Sequence, residues 1–479
     1  MPVTTRAANK TGYFNFRVLD GGYLLTNDWG DHCFLDDRSF DGLLNGQTQR
    51  LSRDTFLELR EKGFLREKAD LERFSERVAS KNRFLGQGTS LHIVVVTLRC
   101  NYRCSYCQAG SADLSADGLD MDAATAHNIV DRIFESPSSA ITIEFQGGEP
   151  LANVATLRSA VVYARQKNRK AKKNLLLTVV TNLGMMNAET LAFLTKNKVH
   201  VCTSLDGPAF IHDRLRRGPG NKGSHAHTVK WIRALKKEYA RRGVRSPVSA
   251  LPTITRLSLG HAEEIVKEYV NLGLDGIHLR QMSPFGLSKN AWEKLGVPAD
   301  DFVRFYESAL DHILELNKKG RYFSERLATV FLTKILTDQD PNYLDLRSPC
   351  GAGTGQLAYL YDGSVYACDE ARMLGRSGDA AFRLGDARKD SWRDLMNHAA
   401  VKTLSIASCL HNLPGCSQCA YRPYCGVCPL HNYALQGDVL GKPPVQCKVN
   451  MAILDYLFRR LKDKKNKEVF LRWVNGKNH

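Results

Sequence analysis

No run of about 18 consecutive apolar residues occurs in the 479-residue chain, so a membrane-spanning helix is excluded. Met1 to Arg6 lacks the apolar core of a secretory signal, and the thirteen cysteines are therefore expected to stay reduced in the cytoplasm rather than pair as disulfides. Acidic side chains are in deficit: 50 Asp and Glu against 67 Lys and Arg leave a formal charge of +17. That surplus permits attraction to nucleic acid, anionic lipid or an acidic peptide. The basic blocks nevertheless lack what a nucleic-acid surface needs. Lys167 to Lys173 and Lys236 to Arg242 fall in helix-like segments where a solvated face accounts for them, and Arg459 to Lys467 has no interleaved aromatics or nucleic-acid fold signature. Neither nucleic acid nor a membrane is expected as a partner.

Length alone implies about three domains at roughly 150 residues each. Two strand-like runs, Phe14 to Leu19 and Tyr23 to Thr26, are joined by the hairpin-type turn Asp20-Gly21-Gly22. Helical periodicity follows at Phe40, Leu43 and Leu44, then at Phe56, Leu57 and Leu59, closing on Gly63-Phe64-Leu65. Residues 1–67 are read as a small unit, either winged-helix-like and peptide-recognising or a structural cap. Cys33 is expected to be a packed residue. Residues 68–89 form a charged linker helix.

A strand and helix alternation begins at residue 90. The expected strands are His92 to Leu98, Ala140 to Phe145, Leu175 to Thr181, His200 to Leu205, Val248 to Ile254 and Gly276 to Arg280. The expected helices are Asp122 to Glu135, Val154 to Ala171, Ala188 to Asn197, Ser224 to Arg242, His261 to Leu272 and Ala299 to Lys318. Leu175 to Val180 is a nearly continuous apolar run, as when both faces of a parallel strand are buried. Six such units over residues 90–318 imply an α/β fold, a partial (β/α)6 barrel with its active site at the carboxyl ends of the strands.

Three thiols, Cys100, Cys104 and Cys107, follow the first expected strand within one turn. An iron-sulfur cluster normally takes four thiolates, so three leave one iron free for a reacting ligand. Structural zinc also asks for four ligands, and no fourth Cys or His lies nearby. Gly147-Gly148-Glu149-Pro150 follows the second strand, Thr181-Asn182 ends the third, and Ser204 to Pro208 ends the fourth. The Cys-x3-Cys-x2-Cys loop and the Gly-Gly-Glu-Pro turn in this order resemble the radical S-adenosylmethionine (SAM) enzymes. The resemblance implies that the three cysteines hold a [4Fe-4S] cluster whose open iron is chelated by SAM. It places Tyr106 on the adenine side, assigns Gly147, Gly148, Glu149 and Pro150 to the SAM amino group, and gives Ser204 and Arg216 to the SAM carboxylate, with Thr181 and Asn182 nearby. Asp206 and Asp213 are read as turn residues or helix caps. Gly218 to Gly223 spells G-x-G-x-x-G, but it follows no strand and is read as a loop leading to a helix. His225 and His227 lack partners at ligand spacing.

Beyond a connector at 319–349, eight of the thirteen cysteines crowd into residues 350–450. Two Cys-x2-Cys pairs alone also fit a zinc ribbon. Behind a radical SAM core they resemble the cysteine-rich SPASM extension, which implies two auxiliary [4Fe-4S] clusters. On that resemblance Cys416, Cys419, Cys425 and Cys447 hold the outer cluster, and Cys350, Cys368 and Cys428 supply three ligands of the inner one. The usual upstream cysteine near Leu344 is missing, so either Cys409 substitutes or one iron stays open. The sulfatase-maturing branch further implies a base at Asp369, whose alternative is a partner tuning the cluster, and a substrate contact at Gln146. Residues 451–479 are read as a basic helix. The implied function is maturation of a ribosomally made peptide or protein. Gly22 to Trp29 and Cys425 to Pro429 resemble maturases of His-Xaa-Ser repeat peptides. Alternatives are an anaerobic sulfatase maturase making formylglycine and a noncatalytic metal-binding adaptor. The implied partners are a precursor peptide or protein, an electron donor such as flavodoxin or ferredoxin, and a partner maturase.

Overall fold

The computed structural model describes residues 11–66, 70–244, 248–283, 285 and 288–476. Met1 to Arg6, read above for a signal, and the first residues of the linker helix, 68 and 69, lie outside the described residues. The amino-terminal unit is an antiparallel meander of β1 (Asn15–Leu19), β2 (Gly22–Thr26) and β3 (His32–Leu35), followed by helices Asp37–Leu44, Arg53–Glu61 and Leu71–Lys81. Asp20 and Gly21 take φ of 53° and 72°, the two-residue turn whose twist matches the flanking strands. β3 escapes the sequence reading because four residues are too few to show a period. Cys33 on β3 is buried in a local core with Leu25, Leu43 and Leu59, as expected. The unit docks on the long helix Pro444–Leu461, where Arg17 donates twice to Asp455 at 2.6 Å and the edges of His32 and Phe34 meet Phe458.

At the centre β4 (Leu91–Thr97), β5 (Ala140–Gly147), β6 (Asn174–Thr181), β7 (His200–Ser204) and β8 (Val248–Leu251) run parallel, each beside the next. The expected strand Val248 to Ile254 is cut at Pro252, which has no N–H for the ladder. Its remainder, Thr253–Ile254, pairs with Arg280–Gln281. The sixth strand changes partner midway, because Gly276–Ile277 lies instead beside Ser324–Glu325. Helices Val154–Ala171 and Ala299–Lys318 span the expected residues. β6 departs from the two-sided burial its apolar run suggests: Leu177 and Val179 are buried, while Leu176, Thr178 and Val180 on the other face keep some access. That second face lines the barrel lumen, and an open barrel does not fill its lumen.

An open barrel also leaves the outer edge of β4 unpaired, which invites aggregation unless it is covered. The carboxyl-terminal region covers it. β9 (Gln356–Tyr359) pairs parallel with β4, Gln356 opposite Leu91, and β10 (Ser364–Tyr366) and β11 (Arg383–Asp386) continue antiparallel. Eight strands thus make one sheet in the order β8-β7-β6-β5-β4-β9-β10-β11. Cys350 and Cys368, which flank β9 and β10 in sequence, are carried beside the strand that leads to Cys100. Among the described residues no helix is long and apolar enough to cross a membrane.

Candidate active site

Backbone pairing fixes the cysteine loop to the barrel. Arg99–Cys100 runs parallel to Ala112–Asp113, and Arg103–Cys104 pairs antiparallel with Arg216–Arg217, which sets Arg216 opposite Cys104. Gly147 and Gly148, at the end of β5, press on the residues entering this loop. A Cβ on Gly148 would lie 2.5 Å from the carbonyl oxygens of Leu98 and Arg99. The close approach carries hydrogen bonds, Gly148 N–H to Thr97 O at 2.9 Å and Glu149 N–H to Arg99 O at 2.8 Å. The thiol turn and the Gly-Gly-Glu-Pro turn are therefore one hydrogen-bonded unit.

Each thiol of the loop has a polar neighbour. Cys100 Sγ accepts from Tyr102 N–H at 3.4 Å and lies 3.7 Å from Asn182 Nδ2. Cys104 Sγ lies 3.7 Å from Arg216 Nη1, and Cys107 Sγ 3.2 Å from Ser111 Oγ. Burial pushes the Cys100 thiol up to about 12 and the Cys104 thiol up to about 11, the latter against the pull of Arg216. Such thiols give up protons to a bound metal, and donors aimed at the sulfurs tune a cluster's potential. Three thiols ringed by donors at a strand end fit a [4Fe-4S] cluster with one open iron.

Glu149 is fully buried and accepts from Thr181 Oγ1 at 2.6 Å, Leu151 N–H at 3.0 Å and Asn182 N–H at 2.8 Å. Three of a carboxylate's roughly four acceptor sites are thus used to clamp the end of β5 to the end of β6. Burial pushes its carboxyl up to about 7. Pro150 opens the short turn Pro150–Asn153 behind it.

Asp206 is more than the turn residue suggested by its sequence position. Fully buried, it accepts from Tyr106 Oη at 2.5 Å, Arg216 Nε at 2.9 Å and Thr253 N–H at 3.0 Å. The Arg216 guanidinium also lies 5.1 Å from the centre of the Tyr106 ring. Asp206 thereby orients both side chains assigned to SAM. Ser204, at the end of β7, makes no hydrogen bond through its hydroxyl among the described residues. Asp213 is a cap, accepting from the Ser224 and His225 N–H groups at 2.7 and 2.8 Å where helix His225–Arg241 begins. His225 bonds Glu268 at 2.9 Å and His227 lies 3.2 Å from Leu183 O, so both serve packing.

Residues 94–267, which include all of these groups except Glu268, match the radical SAM superfamily. They are a radical SAM domain. A cysteine-type anaerobic sulfatase-maturating enzyme of Clostridium novyi is 25% identical over 358 residues, 70% of this chain and 86% of that enzyme. The solved structure of native anSMEcpe with bound AdoMet matches at a TM-score of 0.66 and 20% identity, over 79% of this chain and 100% of the other. Streptococcus suis SuiB bound to its precursor peptide SuiA matches at 0.55 and 14%, over 90% and 98%. The protein is an enzyme of the radical SAM superfamily.

Inside the radical SAM barrel, Gln146 Nε2 donates to Glu144 at 2.7 Å and Thr178 Oγ1 to the same carboxylate at 3.2 Å. Burial raises the Glu144 carboxyl above its ordinary range, and the charge of Asp369 adds to the rise. Asp369 opens helix Asp369–Arg376, and its Oδ1 is held by Arg372 at 2.7 and 2.8 Å. Arg372, 1% exposed, also donates to Ala109 O at 3.3 Å, two residues beyond Cys107. Through Arg372 the carboxyl-terminal region therefore ties Asp369 to the cysteine loop. Glu144, and Arg280 whose charge opposes the rise of Glu144, escape the sequence reading. Glu144 is recoverable, since it stands two residues before Gln146 on one strand and so shares its face.

Cys350, Cys368 and Cys428 come together: burial pushes each thiol up, Cys350 to about 12, and the negative charges of the others raise Cys368 further. Burial also raises the Cys416 and Cys419 thiols, the charge of Cys447 adds to both, and Cys419 adds to the rise of Cys425. Asn450 Nδ2 lies 3.7 Å from Cys425 Sγ, and Tyr421 N–H donates to Cys419 Sγ at 3.4 Å. Cys409 follows Ser408, whose hydroxyl accepts from the Cys350 N–H at 2.8 Å. Among the described residues no three Cys, His, Asp or Glu side chains converge as they would on a single ion; a four-iron cube spaces its ligands around its corners.

Proposed function

We propose that this enzyme matures a ribosomally made peptide or protein by removing hydrogen from one of its carbon atoms. The observation that carries it is that Gln146 is bonded to Glu144, that the charge of Asp369 from the cysteine-rich region acts on Glu144, and that Arg372, which holds Asp369, also bonds the carbonyl of Ala109 just beyond the thiol turn. When bound, a [4Fe-4S] cluster on Cys100, Cys104 and Cys107 together with SAM supplies a 5′-deoxyadenosyl radical. The chain's own side chains position and protect. Arg216, oriented by Asp206, offers a planar fork to a carboxylate, and Ser204 offers its hydroxyl from the end of β7. Gln146 and Glu144 present a donor and an acceptor to a substrate entering the lumen. Asp369 takes the proton that leaves as the substrate is oxidised. Cys350, Cys368 and Cys428, and separately Cys416, Cys419, Cys425 and Cys447, would hold auxiliary clusters, which supply electron storage.

A precursor-bound relative, SuiB, supports a peptide substrate. A His-Xaa-Ser repeat peptide is the first substrate reading, on the resemblance of residues 22–29 and 425–429. A second reading, formylglycine formation on a sulfatase, is favoured by the Clostridium novyi relative together with the placement of Gln146 and Asp369. A flavodoxin or ferredoxin electron donor, a partner maturase and a cytoplasmic setting complete the proposal. Anaerobic incubation with SAM, reductant and each peptide separates the readings by mass spectrometry. An aldehyde on the sulfatase-motif peptide selects the second, and a mass change on the His-Xaa-Ser protein selects the first. Absence of 5′-deoxyadenosine from the reconstituted enzyme contradicts both.

A further inference from the structure

The sixth barrel strand carries a guanidinium that the site described above does not use. The inference drawn from it rests on the reading that the lumen receives a peptide. Along this strand Ile277 and Leu279 are buried in the core. Side chains of a strand alternate between its faces, so His278 and Arg280 point the other way, into the lumen. The backbone beneath Arg280 is held from both sides. Fully buried Glu325 accepts the Leu279 N–H at 3.1 Å and the Ala328 N–H at 2.6 Å, with Tyr306 Oη as a third donor. On the other side Arg280 stands opposite Thr253, the residue whose N–H is bound by Asp206. Arg280 is therefore one strand away from the carboxylate that orients Tyr106 and Arg216.

Its side chain is not committed in the way its backbone is. Arg99, Arg216 and Arg372 each donate to a carboxylate, to Asp120 at 2.9 Å, Asp206 at 2.9 Å and Asp369 at 2.8 Å. Arg280 makes no hydrogen bond among the described residues. Its ion-pair contact, Glu370, stays 3.9 Å away, beyond hydrogen-bond reach, and the Arg280 side chain is 46% exposed where that of Glu370 is 13%. Glu370 belongs to helix Asp369–Arg376, the helix that also holds Asp369 and, through Arg372, bonds Ala109 beyond the thiol turn. The charge of Arg280 reaches Glu144, the partner of Gln146, as well. A planar fork with unused donors matches a carboxylate through two parallel bonds. A neutral carbonyl would leave the positive charge uncompensated once a substrate displaces solvent from the lumen, whereas a carboxylate would balance it.

We propose that Arg280 is a specificity-determining residue that binds a carboxylate of the peptide, from an Asp or Glu side chain or from the chain terminus.

The test uses the reconstituted holoenzyme with SAM and whichever of the two peptides named above it modifies, labelled for fluorescence anisotropy and unlabelled for turnover. The peptide is also made with each Asp or Glu changed singly to Asn or Gln, and with its carboxyl terminus amidated. Arg280→Gln should weaken peptide binding by about tenfold to a hundredfold, the range of hydrogen bonds to charged groups, and should raise KM far more than it lowers kcat. Arg280→Lys, which keeps the charge without the fork, should recover part of the loss. One peptide form should lose the same factor on the wild type and nothing further on Arg280→Gln. A side-chain form doing so assigns an internal carboxylate, and the amidated form assigns the terminus. Wild-type binding by Arg280→Gln overturns the inference, as does an equal loss for every peptide form on both enzymes. Should Arg280→Gln not fold, Arg280→Lys carries the same cycle, and wild-type binding in it overturns the inference too. A wild type that releases 5′-deoxyadenosine but neither binds nor modifies either peptide contradicts the peptide reading itself, and the inference falls with it.

Discussion

Replacing Asp206 by Asn tests whether this carboxylate organises the SAM side of the barrel. Asp206 is fully buried and Arg216 is 9% exposed, so removal of the negative charge strands a guanidinium in a dry interior. Breaking one side of a buried pair costs about 3–5 kcal/mol. The amide can still accept from Thr253 N–H at Oδ1, so the loss is confined to Arg216 and Tyr106. At about 2–4 °C per kcal/mol for domains of this size, the melting temperature should fall by about 6–20 °C. The assay is thermal and urea unfolding of the iron-free chain under reducing conditions, so that cluster loss cannot imitate the effect. Adding Arg216→Gln to Asp206→Asn should restore part of the stability, because the stranded charge is then gone. A single variant within about 0.5 kcal/mol of wild type, the range of surface substitutions, or a double variant less stable than Asp206→Asn, would refute the hub.

Glu149→Gln should alter the pH dependence of stability in the same iron-free chain. The folded carboxyl is raised from 4.5 to about 7, so its contribution is fully present below about 4.5 and is lost as pH rises through 7. The wild type should therefore lose up to roughly 3 kcal/mol relative to Glu149→Gln over that window, and parallel stability curves would contradict this. Asp369→Asn should keep SAM cleavage but cut product formation by about 10²-fold or more, read by comparing 5′-deoxyadenosine with modified peptide; unchanged product removes the base. Asp455→Ala deletes the acceptor of Arg17 and Tyr421. Hydrogen exchange should then quicken in β1 and β2 while β4 to β7 stay protected, and uniform protection would contradict the docking.

Much of the barrel is legible in sequence because its strands and helices are long and periodic, and because the cysteine and Gly-Gly-Glu-Pro turns follow successive strands. The splits at Pro252 and between Ile277 and Arg280 are harder, since a corner strand that changes neighbours has no distinct side-chain pattern. The pairing of β9 with β4 joins residues more than 260 positions apart, and no local signal encodes it. Cys33 and Asp213 play the packing and capping parts their contexts suggest. Asp206 does not, because a lone aspartate after a strand looks the same whether it caps a turn or anchors Tyr106 and Arg216.

The central claim is that Cys100, Cys104 and Cys107 form a SAM-cleaving site. Anaerobic assay of 5′-deoxyadenosine from SAM with dithionite, comparing the reconstituted wild type with Cys104→Ala, tests it most directly. The account predicts turnover in the wild type and none above background in the variant. Equal 5′-deoxyadenosine from both, or none from an iron-loaded wild type, would contradict it.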